Sequence, residues 1–223
     1  MTPEQTKKWW SDYVANDYFT GFSFHFSRPD LIKRISIGPK SFILEIGFGY
    51  GRELSQFCKI SDYVFGVDLS DHAPTLAYQK LAAQGIKNRP ELMTYDGRNL
   101  PLADGLFDLV YSCFVIQHMS KQSAVLLMKE VRRVLAPTGK ALMEFFGCQE
   151  FYRSGLEKDA FSGIPNKPEP DVPYGGMYNN AYGFQEIYDI GVASGLNVEW
   201  IDVKVINKKT DIRNYWAYFG KGS

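Results

Sequence analysis

Cysteine, histidine and charge of one sign are what this sequence is short of. Its 223 residues hold three cysteines, Cys58, Cys113 and Cys148, odd in number and without metal-ligand spacing. That excludes a disulfide scaffold and points to a reducing compartment, the cytoplasm. The three histidines, His25, His72 and His118, stand apart, so no metal site is expected. Lys+Arg and Asp+Glu both number 25, which leaves no basic surplus, and no nucleic acid is expected as a partner. No apolar run approaches the ~20 residues a membrane-spanning helix needs, so no membrane partner is expected either. The opening MTPEQTKKWW is polar and lacks the apolar stretch of a secretory signal.

What the chain does have is a glycine-rich stretch between apolar runs, SFILEIGFGYGRELSQF at 41–57. Phe42, Ile43, Leu44 and Ile46 read as a strand buried on both faces, interrupted by Glu45 at its end. Gly47, Gly49 and Gly51 then alternate before Arg52–Phe57, which can continue as a helix. Alternating glycines between strand and helix permit a sharp turn with positive φ. They also let backbone N–H groups approach a ligand that a Cβ would hold off. A second apolar run, Tyr63–Asp68, ends in an acid about 20 residues past the turn, placed to bond ribose hydroxyls.

Strand and helix signals alternate through this region. Helix 73–83 is followed by strand 91–95 ending at Asp96-Gly97, then by strand 107–111. Ser120 caps a long amphipathic helix that Pro137-Thr138-Gly139 ends, and 140–146 is a fifth strand. This order predicts an α/β fold, doubly wound, with helices on both faces of a mostly parallel sheet. Before it lie a helix opening at Thr2-Pro3 and a second one from Ser27 to Ile37. After it, residues 147–183 carry four prolines and many aromatics without periodicity, the composition of an ordered lid. Helix 184–194, ended by Gly195, precedes strands 197–206 and 212–219, a candidate antiparallel hairpin. The whole reads as a single domain, 1–223: a helical cap to residue 40, a core at 41–146, the lid at 147–183, and a closing helix and two strands at 184–223. Glu144, an acid within an apolar strand, either points into a site or pairs with an arginine.

Four stretches in order, ILEIGFGYG, GVDLS, YDGRNLPLADGLFDLVYSCFVIQHM and RRVLAPTGKALMEFF, resemble the class I S-adenosylmethionine-dependent methyltransferases. In the last of them Ala136 and Thr138 replace the family's usual Lys and first Gly. The resemblance implies a seven-stranded sheet with its last strand antiparallel. It implies S-adenosyl-L-methionine as cofactor and S-adenosyl-L-homocysteine as product. Position by position, it places Glu45 by the methionine amino group and packs Gly47, Phe48, Gly49 and Gly51 along the cofactor. Asp68 would hold the ribose, Leu69 and Gly97 would flank the adenine, and Asp96 would accept from its amino group. Ser112 and Cys113 would lie near the methionine portion.

A nicotinamide dehydrogenase fits less well, because its third glycine would fall at Arg52. A binding protein that keeps the pocket without catalysis is the other alternative. Methyl transfer needs alignment more than acid–base machinery. His118 is either a general base for an acceptor that must lose a proton or a structural histidine bonded to a nearby backbone group. The acceptor is expected to be a small aromatic or apolar molecule held between Tyr13, Tyr18 and Phe19 on one side and Tyr174, Tyr178 and Tyr182 on the other.

Overall fold

The computed structural model describes residues 3–15, 28–148, 180–207 and 212–222. Thr2 and most of the 147–183 stretch therefore lie outside the described residues. Helix α1 covers Pro3–Ala15 and α2 Pro29–Ile32; strand β1, Phe42–Ile46, follows. Then come α3 (Leu54–Phe57), β2 (Tyr63–Asp68), α4 (Ala73–Ala83), β3 (Glu91–Thr94) and β4 (Phe107–Ser112). A 3₁₀ turn at Ile116–His118 leads to α5 (Lys121–Val134) and β5 (Leu135–Cys148). The chain closes with α6 (Phe184–Ser194), β6 (Leu196–Asn207) and β7 (Ile212–Lys221).

The seven strands lie in the order β3-β2-β1-β4-β5-β7-β6, and β7 runs antiparallel to both its neighbours, as expected. From β1 the chain winds outward through β2 and β3, then returns to place β4 on the other side of β1. The winding direction thus reverses between β1 and β4, whose tips pair Ile46 with Ser112. Helices cannot cover the crevice left there, so a ligand can enter it.

Both sheet faces are buried, which is why the central strands read as continuous apolar runs. On one face Leu44, Ile46, Val110 and Met143 pack with Met128 and Val131 of α5 and Ile187 of α6. On the other, Ile43, Leu109, Tyr111, Leu142 and Trp216 meet Leu31, Ile35, Phe57 and Ala77. Ser120 caps α5 as its sequence predicts, its Oγ accepting the Ser123 N–H at 3.1 Å. Gly195 ends α6 in the left-handed conformation at φ +71°. Among the described residues, no helix is long and apolar enough to cross a membrane.

Three boundaries differ from expectation. The second helix stops at Ile32, and residues to Ile35 continue as tight turns closed by Arg34 N–H to Leu31 O and Ile35 N–H to Ile32 O. Burying Leu31, Ile32 and Ile35 together while bending into β1 is easier for turns than for a helix in β-branched sequence. The helix after the glycine turn is likewise shortened to four residues, Leu54–Phe57, because turns occupy Arg52 and Glu53. Strand β5 begins at Leu135 rather than Lys140. The ladder pairs Phe107 with Leu135, then resumes at Leu109 with Lys140, so Ala136–Gly139 bulge out between. Pro137 has no N–H for the ladder, and Gly139 lies against the Phe107 carbonyl where a Cβ would collide.

Leu142, fully buried in β5, and Leu126, 51% exposed on α5, give a contrast in one residue type. Leu142→Ala should cost about 3 kcal/mol in urea unfolding, and Leu126→Ala less than about 0.5 kcal/mol.

Candidate active site

The glycine turn is tied to the neighbouring strand at two points. Gly47 N–H donates to Val67 O, and Gly49 N–H donates to Asp68 Oδ2, each at 2.8 Å. Asp68 Oδ1 accepts the Ser70 N–H at 2.8 Å. Gly49 sits at φ +53° with nothing within 4 Å of where its Cβ would be, so its cavity side is open. At Gly47 a Val115 methyl already fills the space a Cβ would take.

A cavity of about 330 Å³ opens over this turn, at the carboxyl ends of β1, β2 and β4. Glu45, Gly47, Phe48 and Gly49 line it from the first strand and turn. Asp68, Leu69, Asp96 and Gly97 line it from the next two tips, and Cys113 and His118 from beyond β4. These ten of the sequence-derived candidates therefore converge on one space.

Three candidates do not line it. Gly51 serves helix packing, since a Cβ there would meet Ala77 Cβ at 3.0 Å. Ser112 Oγ donates to Ile46 O at 3.0 Å, joining the tips of β1 and β4 from inside. Tyr182 is not an acceptor-wall residue: its ring packs edge-on to Phe145, and its hydroxyl donates to Ile116 O. An aromatic that follows a long stretch of aperiodic sequence is easily credited to that stretch; this one belongs to the core. The Tyr13 side chain, Tyr18, Phe19, Tyr174 and Tyr178 lie outside the described residues.

Sequence reading missed several lining residues. Trp10 and Thr6 reach the cavity from α1, while Tyr50, Arg52, Glu53 and Met119 come from flanking turns. Helix α1 is docked by a Lys7–Asp71 ion pair at 2.8 Å and by Asp71 N–H to Ser11 Oγ at 3.2 Å. Trp10 thereby stands edge-on to His118, with ring centroids 5.1 Å apart. The only sequence signal for this was the spacing of Trp9, Trp10 and Tyr13, which a sheet-covering helix shares. Asn180 N–H donates to Gln117 O and its side-chain amide to Met119 O, beside the same histidine.

The electrostatics are dominated by buried acid. Burial, with Glu53 nearby, raises the Glu45 carboxyl well above the usual range, and Arg52 only partly offsets this. Glu45 Oε2 is buried and has no hydrogen-bond partner among the described residues, which leaves an acceptor at the cavity wall unused. The Arg52 guanidinium bridges Glu53 at 2.7 Å and Cys113 Sγ at 3.9 Å. Burial also raises Asp68, despite its backbone donors. Exposed Asp96 is held low by the Arg98 and Asn99 N–H groups. Among the described residues Glu144 neither lines the cavity nor forms an ion pair with an arginine; it accepts from Phe114 N–H and the Asn214 amide, and burial lifts it to about 7.

Glu45, Asp68 and Glu144 all bind protons more readily folded than unfolded. Stability should therefore be highest near the ordinary carboxylate range and fall as pH rises towards about 7. The depressed acids Asp30, Asp96 and Glu130 act in the opposite sense, but only below about pH 4. Urea midpoints of the ligand-free protein should decrease between about pH 5 and about pH 7.5, and a rising profile would contradict the burial of these three charges.

The sequence profile of the family described as "Methyltransferase domain" matches residues 43–139. A protein of Encephalitozoon cuniculi, named by inference as a methyltransferase, is 31% identical over 168 residues, which cover 71% of this chain and 71% of that protein. Sterol 4-C-methyltransferase strm-1 of Caenorhabditis elegans is 25% identical over 146 residues, 58% of this chain and 43% of its own. Relatives named for fatty acids and for tRNA match over 26% and 25% of their lengths. The matched part thus spans less than half of the first curated relatives. In structure, the 1,6-didemethyltoxoflavin-N1-methyltransferase of Burkholderia thailandensis, solved with its substrate and S-adenosylhomocysteine, superposes with a TM-score of 0.69 at 15% identity, covering 99% of this chain and 88% of that one. The chain therefore belongs to the methyltransferase domain family, and its fold is that of the toxoflavin enzyme solved with S-adenosylhomocysteine.

Proposed function

We propose that the chain methylates a small acceptor with an aromatic or apolar face, entering between α1 and the turn after β4. The observation that supports this reading is the cavity's lining, which combines the acids Glu45, Asp68 and Asp96 with a ring cluster in which Trp10 and Phe114 both meet His118. The three acids suit an ammonium group, a ribose and an adenine amino group, in that order. The open side of Gly49 leaves room for the ligand backbone to pass.

Bound there, S-adenosylmethionine supplies an already activated methyl group for in-line displacement. The protein's own task is to orient the acceptor, exclude water and, where the acceptor carries a proton, remove it. Among the described residues, His118 is the imidazole lining the cavity, flanked by Trp10 and Phe114 at 5.1 Å between ring centroids. We assign it the base role for such acceptors. Aromatic walls hold a flat or greasy acceptor by stacking and also favour a cationic sulfonium. The sterol relative and the toxoflavin enzyme, by name, act on small ring compounds, which supports the same class. The aromatics of residues 18–19 and 174–178 are proposed to complete this wall.

Calorimetry with S-adenosylhomocysteine should register binding to the wild type and at least about tenfold weaker binding to Asp68→Ala, the size of losing charge-assisted hydrogen bonds. In a turnover screen of small aromatic and apolar acceptors, His118→Ala should slow methylation of hydroxyl acceptors by about 10²-fold while S-adenosylhomocysteine affinity stays within about twofold. Turnover on tRNA with none on any small acceptor would replace this reading by a nucleic-acid one.

A further inference from the structure

Glu144 is a buried acid with no place among the groups that line the cavity. It stands in the middle of β5, 1% exposed, opposite Trp216 of β7. A carboxylate in a sheet core is costly unless its oxygens are satisfied. Here both are: Oε2 accepts the Phe114 N–H, and Oε1 accepts an amide N–H from Asn214, itself fully buried in β7.

Phe114 is the one non-glycine residue with positive φ among those described, at +61°. A bulky residue in that conformation is strained and persists only where its surroundings impose it. The turn sets its neighbours. Val115 puts a methyl where a Gly47 side chain would be, and the Phe114 ring meets His118 edge-on at 5.1 Å. Phe114, Val115 and His118 all line the cavity.

We propose that Glu144 is a positioning residue for methyl transfer: its carboxylate, braced by Asn214, holds the tip of β4 in the left-handed turn that docks Val115 on the glycine turn and sets His118 in the cavity wall. The inference rests on reading that cavity as the cofactor and acceptor site. The groups facing the Glu144 carboxyl are Arg52 and Glu53 from the turn after β1, Tyr111 from β4, Cys113 just beyond it, and Asn214 from β7. Burial brings its pKa to about 7, against the pull of the Phe114 N–H, Cys113 and Arg52. A proton on the carboxyl removes the negative charge that strengthens both hydrogen bonds, and the neutral group accepts more weakly. The grip on the turn therefore weakens as pH falls through this value. Gln at 144 keeps one acceptor for Phe114 and can offer its NH₂ to Asn214 Oδ1, which has no partner among the described residues.

The test is calorimetric titration of S-adenosylhomocysteine into the full chain as wild type, Glu144→Gln, Glu144→Leu, Phe114→Gly and the Phe114→Gly/Glu144→Leu double variant. Glu144→Gln should match the wild type near pH 5.5 and bind about threefold more weakly near pH 8.5, where only the wild type carries the charge. Glu144→Leu should weaken binding about tenfold at the higher pH. In the Phe114→Gly background the same change should cost less than about twofold, because glycine takes the left-handed turn unaided. Affinity within twofold of wild type for Glu144→Leu, or an equal loss in both backgrounds, overturns the proposal. If the wild type binds no S-adenosylhomocysteine, it is the cofactor reading that fails. The coupling is then read from the melting temperatures of the same variants, and additive shifts overturn the positioning role.

Discussion

The Asp68 carboxylate spanning the tips of two strands is the contact on which the site depends. One oxygen takes the Gly49 N–H of the turn after β1, and the other takes the Ser70 N–H that starts the turn after β2. A carboxylate with two backbone donors is fixed in orientation, yet its remaining lone pairs face the cavity. The sheet register that brings Ile46 beside Val67 makes this reach possible. A flexible loop carrying the same acid would spend much of its binding energy on ordering.

Around that contact the molecule concentrates negative charge in poor solvent. Glu45, Glu53, Asp68 and Glu144 are all nearly inaccessible, and the Arg52 guanidinium is the cation set among them. Such an arrangement opposes folding, because burial penalises each charge. Functional sites commonly carry strain of this kind, offset by the apolar layers on both sheet faces. The loop beyond Asp96 is anchored more conventionally. Arg133 donates to the Leu100 and Leu102 carbonyls and to Asp104, while Glu130 accepts the Leu100 N–H. That loop thus rests on the last turns of α5, where Glu130 and Arg133 stand.

Much of the site was legible because its chemistry is local. Glycines at alternate positions, acids ending apolar strands and a serine cap each act within a few residues, so their spacing in the chain carries their meaning. Glu45, Gly49, Asp68 and Asp96 needed only the strand pattern to be placed. Gly51 and Ser112 shared that spacing but face the packing side, since a strand or turn tells side chains apart only once a neighbour occupies one face. Tyr182 was misread for the same reason: an aromatic's partner is not written beside it.

By itself, the sequence determined the order and type of the elements, the doubly wound sheet, the glycine turn and the acids at its strand tips, because apolar period and turn chemistry are properties of consecutive residues. Only the tertiary structure decided what lies across from them: Trp10 brought to His118 by α1, Arg52 wedged between Glu53 and Cys113, and Glu144 reaching from β5 to hold Phe114. Those contacts join residues far apart in the chain. Their energies depend on burial and on which face each strand presents, and neither exists until the sheet has closed.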